Sequence, residues 1–211
     1  MIKRKDIFTK FTLLSLLVAM AFSMTAQPDG IKLSQPWVFS NSFEKGLFKA
    51  EMSIYDNSLS GLIIIKRTGE TFRAVFVSEI GIKYFDIEIG SNETNDFTVH
   101  YILEMLNRKQ ITAFIEDTFR MLTMSFGETK KESSFLCDGS GNMVKVTKTQ
   151  NHGKFRYDYH PNFGQVNTMI QFGFLKKTLI NIELSEYDYL SPSLIVAKQK
   201  KMQLVLKQIE Q

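Results

Sequence analysis

The sequence predicts an α+β fold of about ten or eleven mostly antiparallel strands with at least one long helix packed against the sheet. Apolar and polar residues alternate in many short segments, and turn-forming residues separate these segments. The stretch 108–124 instead repeats its apolar residues with the period of a helix. Because no linker or internal repeat divides the chain, we expect a single domain over residues 27–211.

The segments that precede the helix form a meander, in which each predicted strand lies beside the next. Residues 48–54 alternate between apolar and polar, which predicts a strand with one buried face. Residues 62–65 are apolar on both faces and rich in isoleucine, as expected for a strand that is covered on both sides. Turn signals separate the next predicted strands, over 71–77, 82–89 and 97–103.

The helix over 108–124 is predicted from its apolar stripe and from its two ends. Asn107 stands at the position of an N-cap, with Gln110 three residues later, and Gly127 lies just beyond the end. The apolar positions share the spacing of one helical face: Ile111, Phe114, Ile115, Thr118, Phe119 and Leu122. This stripe has to be buried, and the sheet is the only large surface available to cover it.

Strand patterns resume after the helix. Further strands are predicted over 134–137, 143–148, 154–159, 166–175 and 179–184. Two last segments, 194–197 and 202–209, are ambiguous. In the second of them the alternation of Leu204 and Leu206 favours a strand, although the apolar spacing also fits a helix.

Residues 1–26 have the three parts of a secretory signal peptide. Four basic side chains precede an apolar stretch over 11–24, and Ala26 provides a small residue before Gln27. We expect cleavage at this point and export of a soluble mature domain, with an uncleaved N-terminal anchor as the alternative. The apolar stretch is shorter than the roughly 20 residues that a membrane span needs.

Charge and cysteine content exclude several classes of protein. The whole chain carries a net charge of +4, and residues 1–26 contribute +3 of it through four basic and one acidic side chain. A nearly neutral mature domain has no general attraction for phosphate backbones, so we expect no nucleic-acid partner. Basic runs such as 198–201 are interpreted as solvated turns. The single cysteine, Cys137, excludes an intramolecular disulfide and is interpreted as a buried, inert thiol.

Histidines do not form a recognisable site in the sequence. His100, His152 and His160 lack a second histidine at the spacing of metal ligands. No nucleophile elbow, phosphate-binding loop, dinucleotide fingerprint or zinc-protease motif occurs. We therefore expect no metal, no cofactor and no enzymatic activity.

Two carboxylate pairs are also interpreted without catalysis. Asp86 and Glu88 share one face of a predicted strand, and Glu116 and Asp117 lie on the polar side of the helix. Such pairs serve more often as solubilising charges or as partners of arginine than as hydrolytic groups.

Several short patterns resemble the bacterial LolA/LolB-like superfamily of periplasmic lipoprotein carriers and outer-membrane lipoprotein receptors. The order of elements, a meander followed by a helix and more strands, is similar over roughly 48–206. The patterns that carry the resemblance are Leu59-Ser60-Gly61-Leu62, the turn Ile80-Gly81, the motif Leu190-x-Pro192-x-x-Ile195 and the terminal segment 202–209.

The resemblance implies an incomplete β-barrel whose concave side is covered by helices, with acyl chains of lipids or lipoproteins bound in the space between. The side chains expected to line this space are Ile64, Phe76, Phe85, Ile87, Phe114, Ile115, Phe119 and Leu122. Ile80 matches a turn residue that contacts the membrane in receptor-like members. Those members are usually anchored through an N-terminal cysteine, and the single cysteine of this sequence is Cys137. A periplasmic carrier is therefore expected here in place of an anchored receptor, and it is expected to act as a monomer. The alternative is a non-enzymatic interaction module of the cell envelope with a filled core.

Overall fold

The computed structural model describes residues 34–90, 96–136, 141–150, 152–173 and 177–209 of the chain. The predicted signal peptide and the cysteine lie outside these residues. Within them, no helix has the length and hydrophobicity that crossing a membrane requires.

The described residues form one sheet of twelve strands. The strands are β1 (Lys45–Ile54), β2 (Asn57–Thr68), β3 (Thr71–Val77), β4 (Lys83–Ile89), β5 (Phe97–Ile102), β6 (Thr129–Leu136), β7 (Met143–Thr149), β8 (Lys154–Tyr159), β9 (Val166–Phe172), β10 (Thr178–Tyr187), β11 (Pro192–Gln199) and β12 (Met202–Gln208). Their order across the sheet is β5-β4-β3-β2-β1-β12-β11-β10-β9-β8-β7-β6, and every neighbouring pair is antiparallel. The predicted fold class is confirmed. Both ambiguous C-terminal segments are strands, which explains why the described chain has twelve strands instead of ten or eleven.

In the described part of the chain, one α-helix and one short 3-10 helix lie between β5 and β6. The 3-10 helix covers Glu104–Leu106, and the α-helix, named α1, covers Lys109–Thr123. The predicted N-cap at Asn107 is wrong, because the backbone N–H of this residue donates to Glu104 and closes the 3-10 helix. Arg108 takes the cap position of α1 without a side-chain hydrogen bond.

The hydrophobic core lies between α1 and one face of the sheet. Alternate residues of β1 point toward it, so that Phe48, Ala50 and Met52 are fully buried while the residues between them are more exposed. Phe119 of α1 packs against Phe85 of β4 with ring centres 5.8 Å apart in an edge-to-face arrangement. The apolar stripe predicted for the helix is buried, as expected.

The sheet is open, and α1 belongs to the connection between its two edge strands. Among the described residues, β5 and β6 each have one strand neighbour and lie at opposite edges. The first and last strands pair in the centre of the sheet, where Phe48 lies opposite Gln208 and Ile54 lies opposite Met202. The meander predicted from the sequence is therefore two meanders that meet along β1 and β12.

α1 begins beside two hairpin turns. The β1–β2 turn contains Tyr55 and Asp56, and the β11–β12 turn contains Lys200 and Lys201. The backbone N–H of Tyr55 donates to the carbonyl of Lys201 at 2.9 Å, which joins the two turns. The hydroxyl of Tyr55 donates to Oε1 of Gln110 in the first turn of α1 at 2.7 Å.

Candidate functional site

Most of the space between α1 and the sheet is filled. Phe76, Phe85, Ile87 and Phe114 have no accessible surface, and the remaining predicted lining residues of α1 are at most 2% exposed: Ile115, Phe119 and Leu122. A side chain without accessible surface touches neither solvent nor a void wide enough for a water molecule. The structure therefore brings these seven residues together in a packed core.

Ile64 lies on the other face of the sheet. It is partly buried, whereas its neighbours Ile63 and Ile65 are fully buried against α1. The apolar run has no alternation that could fix its orientation, and pairing with β3 decides it, because Ile63 lies opposite the buried Phe76. Ile64 was expected to face α1, but the adjacent residue Ile63 faces α1 instead.

A cavity of about 780 Å³ lies where α1 begins. Its walls come from the first two turns of α1 and from the joined β1–β2 and β11–β12 turns: Tyr55, Lys109, Gln110, Ala113, Gln199, Lys200, Lys201 and Met202. None of the eight residues that the sequence predicted as lining is among them. The ring of Tyr55, the methyl group of Ala113 and the side chain of Met202 provide apolar surface.

Two polar features shape the cavity wall. The hydrogen bond from Tyr55 to Gln110 links the β1–β2 turn to α1. Oε1 of Gln199 is buried and has no hydrogen-bond partner within the described residues. This oxygen has almost no accessible surface, so it is closed off from the cavity, and the missing donor costs free energy.

The wall is positively charged. Lys109, Lys200 and Lys201 line the cavity, and no aspartate or glutamate is among its described lining residues. None of these three lysines forms an ion pair within the described chain, whereas the nearby Lys198 lies 4.0 Å from Glu183. Within the described residues, no direct ion pair therefore holds these three ammonium groups.

The two turns at the cavity contain strained backbone. Tyr55 has a φ of 54° and Lys200 a φ of 47°, in the left-handed region that residues other than glycine seldom adopt. Each is the first residue of a two-residue hairpin turn, a position that normally favours glycine or asparagine. Backbone strain of this kind is concentrated at functional sites, and here both residues with a strained backbone line the cavity.

Ile80 lies at the tip of the β3–β4 turn and is 84% exposed. The turn is closed by a hydrogen bond from the Ile82 N–H to Oγ of Ser78 and by Gly81, which has a φ of 86°. Ile82 itself is 48% exposed. The β3–β4 turn lies at the same end of the sheet as the cavity, because the antiparallel strands β2 and β3 place it beside the start of β2.

A buried polar cluster lies along the second half of α1. Nε of Arg120 donates to Glu116 at 2.9 Å, and the Arg120 side chain is 4% exposed. Burial raises the pKa of Asp117 to about 6, the Glu116 carboxylate adds to the rise, and a hydrogen bond with Gln171 of β9 opposes it. Burial, and then the charge of Arg120, lower the pKa of His152. The cluster attaches α1 to the sheet away from the cavity.

The remaining titratable candidates are engaged in pairs. Nε of Arg73 donates to Oδ1 of Asp86 at 2.8 Å, and Nε2 of His100 lies 2.9 Å from Glu88. These pairs agree with the interpretation of the strand carboxylates as partners of basic residues. Within the described residues, no group of three or more histidine, cysteine, aspartate and glutamate side chains could hold a metal ion.

The sequence contained a weak signal for the cavity that was interpreted otherwise. The sequence pattern of the basic run 198–201 indicates a solvated turn, yet Lys200 and Lys201 line the cavity. Tyr55 directly follows the alternating segment 48–54 and also lines the cavity. Neither residue identifies a cavity alone, because the third wall comes from α1, more than fifty positions after Tyr55 along the sequence.

Comparison with known proteins gives structural matches without sequence matches. No protein-family model matches the chain, and no curated protein matches it. The chain has structural matches to the LolA superfamily. A LolA superfamily protein from Nitrosomonas europaea is 8% identical over 79% of this chain and 84% of that chain, with a TM-score of 0.48.

Two further solved structures match a similar share of the chain. A protein domain from Vibrio parahaemolyticus, described as an outer membrane lipoprotein-sorting protein, is 7% identical over 81% of this chain and 86% of its own, with a TM-score of 0.48. A DUF1329 family protein from Desulfovibrio piger is 7% identical over 81% of this chain and 85% of its own, with a TM-score of 0.46. At these identities, none of them assigns a function to the chain.

Proposed function

We propose that the protein is an exported, periplasmic carrier that shelters an acyl chain of a lipid or lipoprotein in the cavity at the start of α1. The cavity itself supports this proposal, because its volume of about 780 Å³ lies within the usual range of small-molecule sites, about 300 to 1,000 Å³. Its apolar wall includes Met202, and methionine adapts readily to flexible hydrocarbon chains. The protein has no catalytic role in this proposal.

The physical gain from sheltering an acyl chain is large. Burial of about 0.8 kcal/mol per methylene gives on the order of 12 kcal/mol for a fully buried chain of sixteen carbons. Partial burial against Tyr55, Ala113 and Met202 still removes much of the chain from water, and the aliphatic stems of the lining lysines extend this apolar surface. The packed core beside Phe114 supports a binding place at the start of α1 and not in the middle of the sheet.

Filling the cavity tests the proposal. Ala113 is exposed on α1 and lines the cavity, so Ala113→Trp places a large side chain there without disturbing the core. We expect this variant to lose at least about tenfold in affinity for a fluorescent fatty acid, measured by titration of the purified protein. Lipid extraction followed by mass spectrometry should also recover less bound lipid.

Ser60→Trp is the matched control, because Ser60 is exposed on the sheet face opposite α1. It should bind like the unmodified protein. Absence of bound lipid together with absence of fatty-acid binding in the unmodified protein would contradict the carrier function.

A cell-envelope interaction module is the second candidate, and the filled core favours it. In the described sheet both edge strands carry exposed apolar side chains, with Phe135 of β6 52% exposed and Tyr101 of β5 41% exposed. An unpaired strand edge can accept a strand from a partner protein. Crosslinking in cells that recovered one protein partner and no lipid would favour this function over the carrier.

Contact with a membrane forms part of the proposed carrier function. Ile80 offers an exposed apolar tip, and Ile82 in the same turn adds to it. An apolar tip of this size inserts into the headgroup region of a bilayer, where a transient contact suffices for a carrier. The tip lies at the end of the sheet that also holds the cavity, so membrane contact would bring the cavity toward its cargo.

A further inference from the structure

We propose that the cargo is an anionic amphiphile, whose phosphate or carboxylate is held by Lys109, Lys200 and Lys201 at the cavity wall. The inference rests on the proposed carrier function, since it names the chemical class of the molecule that the same cavity takes. The apolar part of the cargo lies against Met202 and Ala113, and its charged end lies among the three ammonium groups.

The side chains that line the cavity carry an excess of positive charge. Three lysines line it, no carboxylate does so among the described residues, and none of the three forms an ion pair in the described chain. Like charges gathered around a concave surface repel each other, and an anion bound between them removes that repulsion.

The start of α1 forms part of the same wall and adds to its positive character. Its first turn contains no acidic residue, and its cap residue Arg108 makes no side-chain hydrogen bond to the helix. The positive end of the helix dipole therefore lacks the compensation that an aspartate or glutamate in the first turn, or a capping serine or aspartate, commonly provides. An anion near Lys109 and Gln110 supplies this compensation.

Single-chain amphiphiles with the same twelve-carbon tail and different heads test the inference. Isothermal titration calorimetry below the critical micelle concentration compares dodecyl phosphate, dodecanoate and the uncharged dodecyl maltoside. We expect both anions to bind the unmodified protein at least about tenfold more tightly than the maltoside. A preference for one anion over the other distinguishes a phosphate head from a carboxylate head.

The triple variant Lys109→Gln, Lys200→Gln, Lys201→Gln should lose about tenfold or more in affinity for the anions and keep its affinity for the maltoside. The control removes the same charge elsewhere, through Lys45→Gln, Lys49→Gln and Lys66→Gln on the exposed surface of β1 and β2. It should bind all three amphiphiles as before. Circular dichroism checks that both variants are folded.

The two possible failures differ in their results. If all three amphiphiles bind with equal affinity, and the lysine variant binds them as the unmodified protein does, the anionic cargo is overturned and the carrier function stays in place. Binding of none of the three by the unmodified protein overturns both proposals.

Discussion

The ionisation of Asp117 affects the stability of the fold. Burial raises its pKa from 3.8 to about 6, so the folded protein holds a proton there that the unfolded chain releases. A raised carboxyl pKa contributes stability that is fully present below about pH 4 and is lost as the pH rises through about 6. The shift corresponds to at most about 3 kcal/mol, and about 1 to 2 kcal/mol is expected because the group is partly open to water.

Asp117→Asn removes this dependence on pH. The free energy of unfolding of the unmodified protein, measured with urea, should fall between pH 4 and pH 7 by more than that of the variant. At pH 7 the variant should be the more stable protein. Asp56→Asn in the exposed β1–β2 turn is the control and should follow the unmodified protein. Identical pH profiles for Asp117→Asn and the unmodified protein would show that Asp117 is ionised without penalty.

The orientation of β2 can be checked by a pair of substitutions at adjacent positions. Ile63 is fully buried against the helix side of the sheet, and Ile64 is partly buried on the other side. Ile63→Ala should destabilise the protein by about 2 to 5 kcal/mol, because it leaves a cavity in a packed core. Ile64→Ala should cost less than about 1.5 kcal/mol. Urea unfolding of both variants measures the difference, and equal losses would contradict the orientation.

Elements with a regular local pattern were predictable from the sequence. The alternation in β1 and the apolar stripe of α1 both depend on residues a few positions apart, and both are buried as predicted. Prediction from local pattern was wrong where a competing local structure formed. Asn107, for example, closes the 3-10 helix instead of capping α1. Prediction was also wrong in the isoleucine run of β2, where pairing with β3 selects the buried face.

The candidate site was beyond prediction because its walls come from three distant segments. The β1–β2 turn, the start of α1 and the β11–β12 turn meet only after β1 has paired with β12. Each segment alone has an ordinary composition, and the lysines of the last turn are typical of a solvated hairpin. Seven of the eight residues predicted to line a lipid cavity lie in the packed core between α1 and the sheet, since burial follows from periodicity, whereas an unfilled volume does not.

At the scale of the whole molecule, the exposed β3–β4 tip and the cationic cavity occupy one end of the sheet. We expect Ile80→Asp to reduce cosedimentation with vesicles of phosphatidylethanolamine and phosphatidylglycerol by about fivefold or more, because a charge at the tip opposes insertion. The variant should keep its affinity for dodecyl phosphate, since Ile80 does not line the cavity.

Glu79→Asp is a control in the same turn that preserves both charge and apolar surface. Its vesicle binding should match that of the unmodified protein. Unchanged sedimentation of Ile80→Asp would contradict a role for the tip in membrane contact.

Because β1 pairs with β12, the centre of the sheet can form only after the last strand is available. Ile54 must find Met202, near the far end of the described chain, before the centre of the sheet is joined. Until β12 has been synthesised, β1 presents an unpaired edge that can recruit the same strand of another nascent chain. A chain that ends before β12 therefore leaves β1 with an exposed edge at the centre of the sheet, where another chain can pair.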